Sequence, residues 1–231
     1  VPTPASAPPS AYASWDAARA LSAAWLPKLD IGQSRRLQPH EVLYAQGTRH
    51  DCFYLVRSGF MHTTVLRPNG TSLLLEIFGP GAIFGEASAF IDRPRYVTAM
   101  AVTPVLLSEY RAGDIQQIFA SHPELVLSLL QLLGIKHRLL IDKLASFTSS
   151  SPQERLIDLL GRVALAGQQH PAAQGLRLTH AQLASMTALS RVTVTRTLKA
   201  LTQQGLVATR TKGVEITDPQ ALIARLAPQL R

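Results

Sequence analysis

The run Ser190-Arg191-Val192-Thr193-Val194-Thr195-Arg196 sets two guanidinium groups five residues apart at the start of a segment with helical apolar spacing. On a helix lying in a DNA major groove both can reach base edges, where arginine makes a bidentate match to guanine O6 and N7. Ser190 is a suitable cap for that helix, from Arg191 to about Gln203. Thr179 is a suitable cap for a preceding one, from His180 to about Met186, with Thr187-Ala188-Leu189 as the turn. Ala188 stands where such turns often carry glycine, so its φ is expected to be negative or mildly strained. With Leu183, Leu189, Val194, Leu198 and Leu201 turned inward, Arg191, Val192, Thr193, Thr195, Arg196 and Lys199 remain for groove and rim. Val192 and the threonines can meet thymine methyls, while Lys199 is better placed for phosphate. Residues 205–217 then alternate like two strands around Lys212-Gly213, a wing that brings Arg210 and Lys212 to the backbone. The expected DNA-binding set is Thr179, Ser190, Arg191, Val192, Thr193, Thr195, Arg196, Lys199, Arg210 and Lys212.

Other chemistry is thinly represented. The sequence offers no His/Glu metal cluster, no Gly-rich phosphate loop and no nucleophile with an adjacent base, so no catalytic residue, metal ligand or cofactor is expected. The enzymatic alternative would be a cupin-like catalytic roll. A single cysteine, Cys52, excludes an internal disulfide and disfavours cluster-based sensing. His40, His50, His62 and His137 show no spacing that singles out a pair of haem ligands.

The elements that must hold these residues can be read from texture. The chain has 231 residues, is 46% hydrophobic and carries a formal charge of +8. Residues 1–146 hold 13 Lys/Arg against 11 Asp/Glu, and residues 147–231 hold 10 against 4. The basic excess therefore sits with the candidate DNA-reading helices, as a polyanionic partner requires. No apolar stretch reaches the ~20 residues of a membrane span. Residues 1–14 read as a disordered tail rather than a signal peptide, which gives a cytoplasmic address.

Residues 15–26 have the spacing of a short amphipathic helix. From residue 34 to about 110, brief runs such as Val42-Leu43-Tyr44, Phe53-Tyr54-Leu55-Val56, 61–66, 72–78 and 97–102 alternate with Gly and Pro turns, Pro68-Asn69-Gly70 being the clearest. That is the pattern of an antiparallel roll. Residues 123–147 form a long helix with two apolar stripes. Val126, Leu130, Leu133, His137, Leu140 and Leu144 follow a heptad seam with one polar member. Leu125, Leu129, Leu132, Lys136, Leu139 and Lys143 form the other. One stripe can pack on the chain's own roll and the second asks for another subunit, the alternative being a central helix buried in a monomer. Residues 148–152 are a polar hinge, 153–166 are helical, and 167–175 form a loop. The expected class is α+β: a β-roll effector domain over 15–122, a dimerisation helix over 123–147 and a winged helix-turn-helix over 148–231.

Residues 37–47, the run Phe53-Tyr54-Leu55-Val56-Arg57-Ser58-Gly59, the run Phe84-Gly85-Glu86-Ala87 and residues 93–99 together resemble the Crp–Fnr family of bacterial regulators, with its cyclic-nucleotide-binding roll. The resemblance extends from about residue 30 to 218. It implies a homodimer through the long helix, palindromic double-stranded DNA and RNA polymerase as partners, and a small-molecule effector held between roll and helix. Gly85, Glu86 and Ala87 match the ribose-holding stretch, and Arg95 the arginine that pairs with a cyclic phosphate. Glu86 and Arg95 could equally be a buried pair that holds the roll together. Tyr96 stands where a small hydroxyl residue is expected and would reshape the phosphate site. Leu140 and Ile141 replace the Thr-Ser pair that reaches the base in cyclic-AMP-responsive members, and offer no side-chain donors. An effector other than cyclic AMP is therefore expected, with a cyclic nucleotide as the alternative. Val192 replaces a glutamate of the cyclic-AMP branch, and the run from Arg191 to Arg196 is similar to that of the nitrogen-control regulators.

Overall fold

The computed structural model describes residue 25 and residues 32–68, 70, 72–169, 177–211 and 213–226, without the side chains of 142, 143, 145–148 and 166. The expected tail, the helix over 15–26 apart from Trp25, Asn69 and Lys212 lie outside the described residues. Backbone contacts separate one compact unit of residues 14–139 from another that includes residues 140–231.

In the first unit short strands pair into two antiparallel four-stranded sheets. One runs β1 (Gln33–Leu37), β8 (Val105–Arg111), β3 (Cys52–Ser58), β6 (Ile83–Phe84), and the other β2 (Val42–Tyr44), β7 (Thr98–Ala101), β4 (Met61–Leu66), β5 (Ser72–Phe78). Alternation is visible in β4, where Met61 and Thr63 are buried while His62 and Thr64 are half-buried. Gly59 turns β3 into β4 at φ +81°, where a Cβ would run into the Pro104 carbonyl, so glycine is required on two counts. Strand β1 escapes the sequence reading because Gln33, Ser34, Arg35 and Arg36 are all exposed on an edge, leaving no apolar alternation to see.

A five-residue helix, α1 (Glu86–Phe90), follows β6, and after β8 a 3-10 turn at Ala112–Asp114 leads into α2 (Ile115–Ser121) and α3 (Pro123–Ser149). Leu125, Leu129 and Leu132 of α3 join Trp25, Phe53, Leu55, Ile83, Tyr110 and Ile118 in one buried cluster. Trp25 is locked there by edge-on contact with Phe53 and Tyr110, and its indole N–H donates to Ser128 Oγ at 2.9 Å. The roll thus takes the second stripe of α3 and leaves the heptad seam outside.

In the second unit α3 runs two residues past the expected end, which narrows the polar break. Ser151 then opens α4 (Pro152–Gln169) with a capping box: the Glu154 N–H donates to Ser151 Oγ at 3.3 Å and the Ser151 N–H to the Glu154 carboxylate at 2.7 Å. Helix α4 continues through Gly167, where a loop was expected; glycine costs a helix only ~1 kcal/mol. There follow α5 (His180–Thr187), α6 (Arg191–Gln203), the hairpin β9 (Val207–Arg210) and β10 (Gly213–Ile216), and α7 (Pro219–Ala224). Leu178 bridges Val214 and adds a third edge to the wing. Helix α7, too short for periodicity to betray, is capped by Asp218, which accepts from the Ala221 N–H at 2.9 Å. Among the described residues no helix is long and apolar enough to cross a membrane.

Because Leu129 is buried and Leu130 is 61% exposed, Leu129→Ala should destabilise the first unit by about 2–5 kcal/mol in urea unfolding. Leu130→Ala should leave the unfolding of an isolated protomer nearly unchanged, and equal losses would contradict the assignment of the two stripes.

Candidate nucleic-acid interface and effector cradle

The α5–α6 pair is built from two local caps. The Thr179 hydroxyl accepts from the Gln182 N–H at 3.2 Å while the Gln182 side chain accepts from the Thr179 N–H at 2.8 Å. Ser190 Oγ accepts from the Thr193 N–H at 3.0 Å, which fixes the start of α6. Between them Ala188 takes φ +53°, so the negative φ held open above is wrong: the chain must reverse within two residues to leave Ser190 free to cap. Leu183, Ala184, Val194, Leu198 and Leu201 are buried, Leu189 half-buried. On the opposite face Arg191, Val192, Thr195, Arg196 and Lys199 are exposed and Thr193 is half-buried, Val192 reaching 79%. Two guanidinium groups, an ammonium and two methyl-bearing side chains therefore share one accessible surface.

On the wing Arg210 is exposed and held by Glu215, whose carboxylate accepts from Arg210 Nε at 2.8 Å and from Arg177 Nη2 at 3.3 Å. The hydrogen bond from Arg210, helped by the Arg177 charge, holds the Glu215 carboxyl below its usual pKa. Neither Arg177 nor Glu215 was among the sequence candidates. Glu215 carries negative charge into an otherwise basic wing, so Glu215→Gln should tighten non-specific DNA binding at low salt. It should also steepen the slope of log affinity against log salt by about 1 in an anisotropy titration.

The candidate effector residues gather around α1. Gly85 sits at φ +85°, and a Cβ there would stand 3.1 Å from Arg95 Nη1. Arg95 is 2% exposed; its guanidinium donates to the carbonyls of Gly85 and Cys52 and to Ser88 Oγ, and it stacks 4.2 Å from the centre of the Tyr44 ring. The postulated Glu86–Arg95 pair is not formed. Glu86 instead accepts from Lys136 Nζ at 2.8 Å, and Lys136 also donates to the Ile83 carbonyl at 2.7 Å. The swap is geometric: α1 aims Glu86 at α3 and leaves Arg95 to close the α1 turn on β3. Glu86 Oε2 and Arg95 Nε are buried with no hydrogen-bond partner among the described residues. A bound hydroxyl could donate to the first, and a bound anion accept from the second.

Ala87 is exposed, as is Tyr96 at 59%, while Ser88 points inward. Leu140 and Ile141 belong to the second unit and are exposed. Along the seam Val126 and Leu133 are half-buried, and Leu130, His137, Leu140 and Leu144 are exposed.

Cys52 is buried, its Sγ against the carboxylates of Asp51 at 3.6 Å and Glu109 at 3.7 Å. Burial first, then those two charges, push the thiol pKa up to about 12, which keeps it protonated and unreactive at neutral pH. Among the described residues no three His, Cys, Asp or Glu come together to hold a metal ion.

Lys136 is the functional side chain that sequence reading passed over. One charge inside a buried leucine stripe was the available signal, since such a charge requires a carboxylate partner. Burial works against its ammonium, but the Glu86 and Glu76 carboxylates prevail and raise its pKa above the usual value. A group that holds its proton more tightly when folded stabilises the fold fully below its unfolded pKa, and loses that contribution as pH rises through the higher folded value. Lys136→Met should cost about 3–5 kcal/mol at pH 7, and adding Glu86→Leu should recover most of it. As pH rises above about 10 wild-type stability should fall more steeply than that of the double variant, as measured by urea midpoints.

A basic winged helix-turn-helix on the same chain as a double-sheet roll defines a class, the transcription regulators that bind DNA. Residues 34–122 match the model of the cyclic nucleotide-binding domain, and residues 154–225 that of the Crp-like helix-turn-helix domain. The chain belongs to the Crp–Fnr family of transcription regulators. It is 29% identical over 209 residues to the CRP-like cAMP-activated global transcriptional regulator of Mycobacterium tuberculosis, covering 86% of this chain and 92% of that one. To the cyclic AMP receptor protein of Thermus thermophilus it is 27% identical over 194 residues, covering 84% and 88%. Its fold resembles the solved c-di-GMP-responsive global regulator of Xanthomonas campestris, with a TM-score of 0.65 at 22% identity, over 85% of this chain and 99% of that one.

Proposed function

We propose that the protein is an effector-gated, sequence-specific regulator that binds two-fold symmetric DNA sites as a homodimer. The observation that carries this reading is the exposed face of α6, where Arg191 and Arg196 stand beside Val192 and Lys199, all four exposed among the described residues. The exposed heptad seam of α3 supports the dimer: Leu130, Leu140 and Leu144 are each more than half exposed, an apolar stripe that a second copy of the same helix would cover. RNA polymerase is the further partner that an activator of this class would engage.

For the effector, a small molecule other than cyclic AMP fits the cradle best. Glu86 Oε2 and Arg95 Nε suit a ligand with a hydroxyl and an anionic group. By the family resemblance Leu140 and Ile141 replace the pair that reaches the base, and they carry no donors for an adenine edge. The second reading is a cyclic nucleotide, favoured by the mycobacterial and Thermus relatives, both of which are named for cyclic AMP. Calorimetric titration of the full chain with cyclic AMP, cyclic GMP and c-di-GMP separates the two readings, and tight binding of cyclic AMP would overturn the first.

The DNA reading is tested by binding-site selection followed by Arg191→Ala. Loss of a bidentate guanine contact should cost about 1–3 kcal/mol per half-site while sedimentation still shows the dimer. Leu130→Asp should do the reverse, breaking the dimer and with it the tight binding of a two-fold site. Retained specificity in Arg191→Ala sinks the assignment of α6.

A further inference from the structure

The hydroxyl groups in the N-terminal half of α6 are all committed within the protein. Ser190 Oγ and Thr193 Oγ1 lie 2.8 Å apart and share a hydrogen, and the Thr197 hydroxyl donates to the Thr193 carbonyl at 2.9 Å. Thr195 is the one on the exposed face, and its Oγ1 lies 3.0 Å from His180 Nδ1. His180 is the first residue of α5, held in place by the Thr179–Gln182 capping box. Its Nε2 finds no hydrogen-bond partner among the described residues, so the imidazole has one polar anchor there, the Thr195 hydroxyl. With the ring proton on Nε2 the hydroxyl donates to Nδ1; with it on Nδ1 the ring donates to Oγ1. In either tautomer the hydroxyl oxygen is turned toward α5.

A free threonine hydroxyl donates or accepts and so tolerates several bases, whereas a threonine methyl is selective for the C5-methyl of thymine. Threonine is stiff at χ1, so tying Oγ1 also fixes where Cγ2 stands. We propose that His180 is a positioning residue for base readout: it holds the Thr195 hydroxyl and leaves the Thr195 methyl to read a thymine beside the guanines met by Arg191 and Arg196. This rests on the assignment of α6 as the recognition helix. It makes the threonine a hydrocarbon contact and divides the face between guanidinium groups and methyls, the other methyl-bearing member being Val192.

The test uses the full chain and a site obtained by selection, with each thymine of the half-site replaced in turn by deoxyuridine, which removes the methyl alone. In wild type one replacement beyond those sensed by Val192 should weaken binding about fourfold per half-site, the value of one buried methyl. Thr195→Val, which keeps a methyl and has no hydroxyl to hold, should retain that discrimination. His180→Ala should abolish it at that step, and Thr195→Val in the His180→Ala background should restore it, which a merely structural histidine would not allow. Circular dichroism melts confirm that each variant is folded. The proposal is overturned if His180→Ala keeps the thymine-to-deoxyuridine ratio, if the double variant fails to recover it, or if no thymine but those sensed by Val192 responds in wild type. Sequence-specific binding that survives Arg191→Ala would instead overturn the reading of α6. Loss of specificity in Arg191→Ala with an unchanged ratio in His180→Ala would overturn the histidine proposal alone.

Discussion

Lys136 lies in the stripe of α3 that the roll buries, and its ammonium reaches the carboxylate of Glu86 and the carbonyl of Ile83. Much of the first unit depends on this contact. A buried ammonium without a carboxylate costs several kcal/mol, so the rotation of α3 about its axis is constrained to the one setting that satisfies Lys136. The same setting inserts Leu125, Leu129 and Leu132 into the aromatic cluster of Trp25, Phe53 and Tyr110. It also turns Leu130 outward, and so exposes the start of the seam. One ion pair thus links the cradle, the core and the exposed apolar seam.

Arg95 shows the complementary arrangement. Its guanidinium is spent on carbonyls, a hydroxyl and an aromatic face rather than on a carboxylate. The cradle contains a cation with an unused donor and a carboxylate with an unused acceptor. Buried polar atoms are seldom left without partners, and these two atoms are the ground for proposing an effector with a hydroxyl and an anionic group. At the DNA-reading end the logic is opposite: hydroxyl groups that could have been versatile are tied off, which leaves charge and hydrocarbon on the exposed face.

Several features were legible because they are local. The capping residues Thr179 and Ser190 need only the amide three residues ahead, so both helix starts could be read from residue type and spacing. A brief β-branched run between turns disclosed β4, but nothing disclosed β1, whose edge position leaves four successive residues polar or charged and exposed. Gln182, though part of a cap, was missed because Thr179 was considered as a cap without its reciprocal partner. The end of α3 at Ser149 and the passage of α4 through Gly167 were missed because polar and glycine residues weaken a helix without forbidding it.

What the sequence determined by itself is the order of roll, long helix and helix-turn-helix, the two-striped character of α3, the basic recognition helix with its caps, and the family resemblance that the matched domains bear out. Each follows from periodicities and pairings within a few residues. The tertiary structure alone decided which stripe of α3 meets the roll, that Glu86 pairs with Lys136 fifty residues away rather than with Arg95, and that His180 takes the hydroxyl of Thr195 fifteen residues on. The physical reason is the same in all three. Each outcome joins groups far apart in sequence, and which group is near enough is fixed by how the elements pack, not by what stands beside it in the chain.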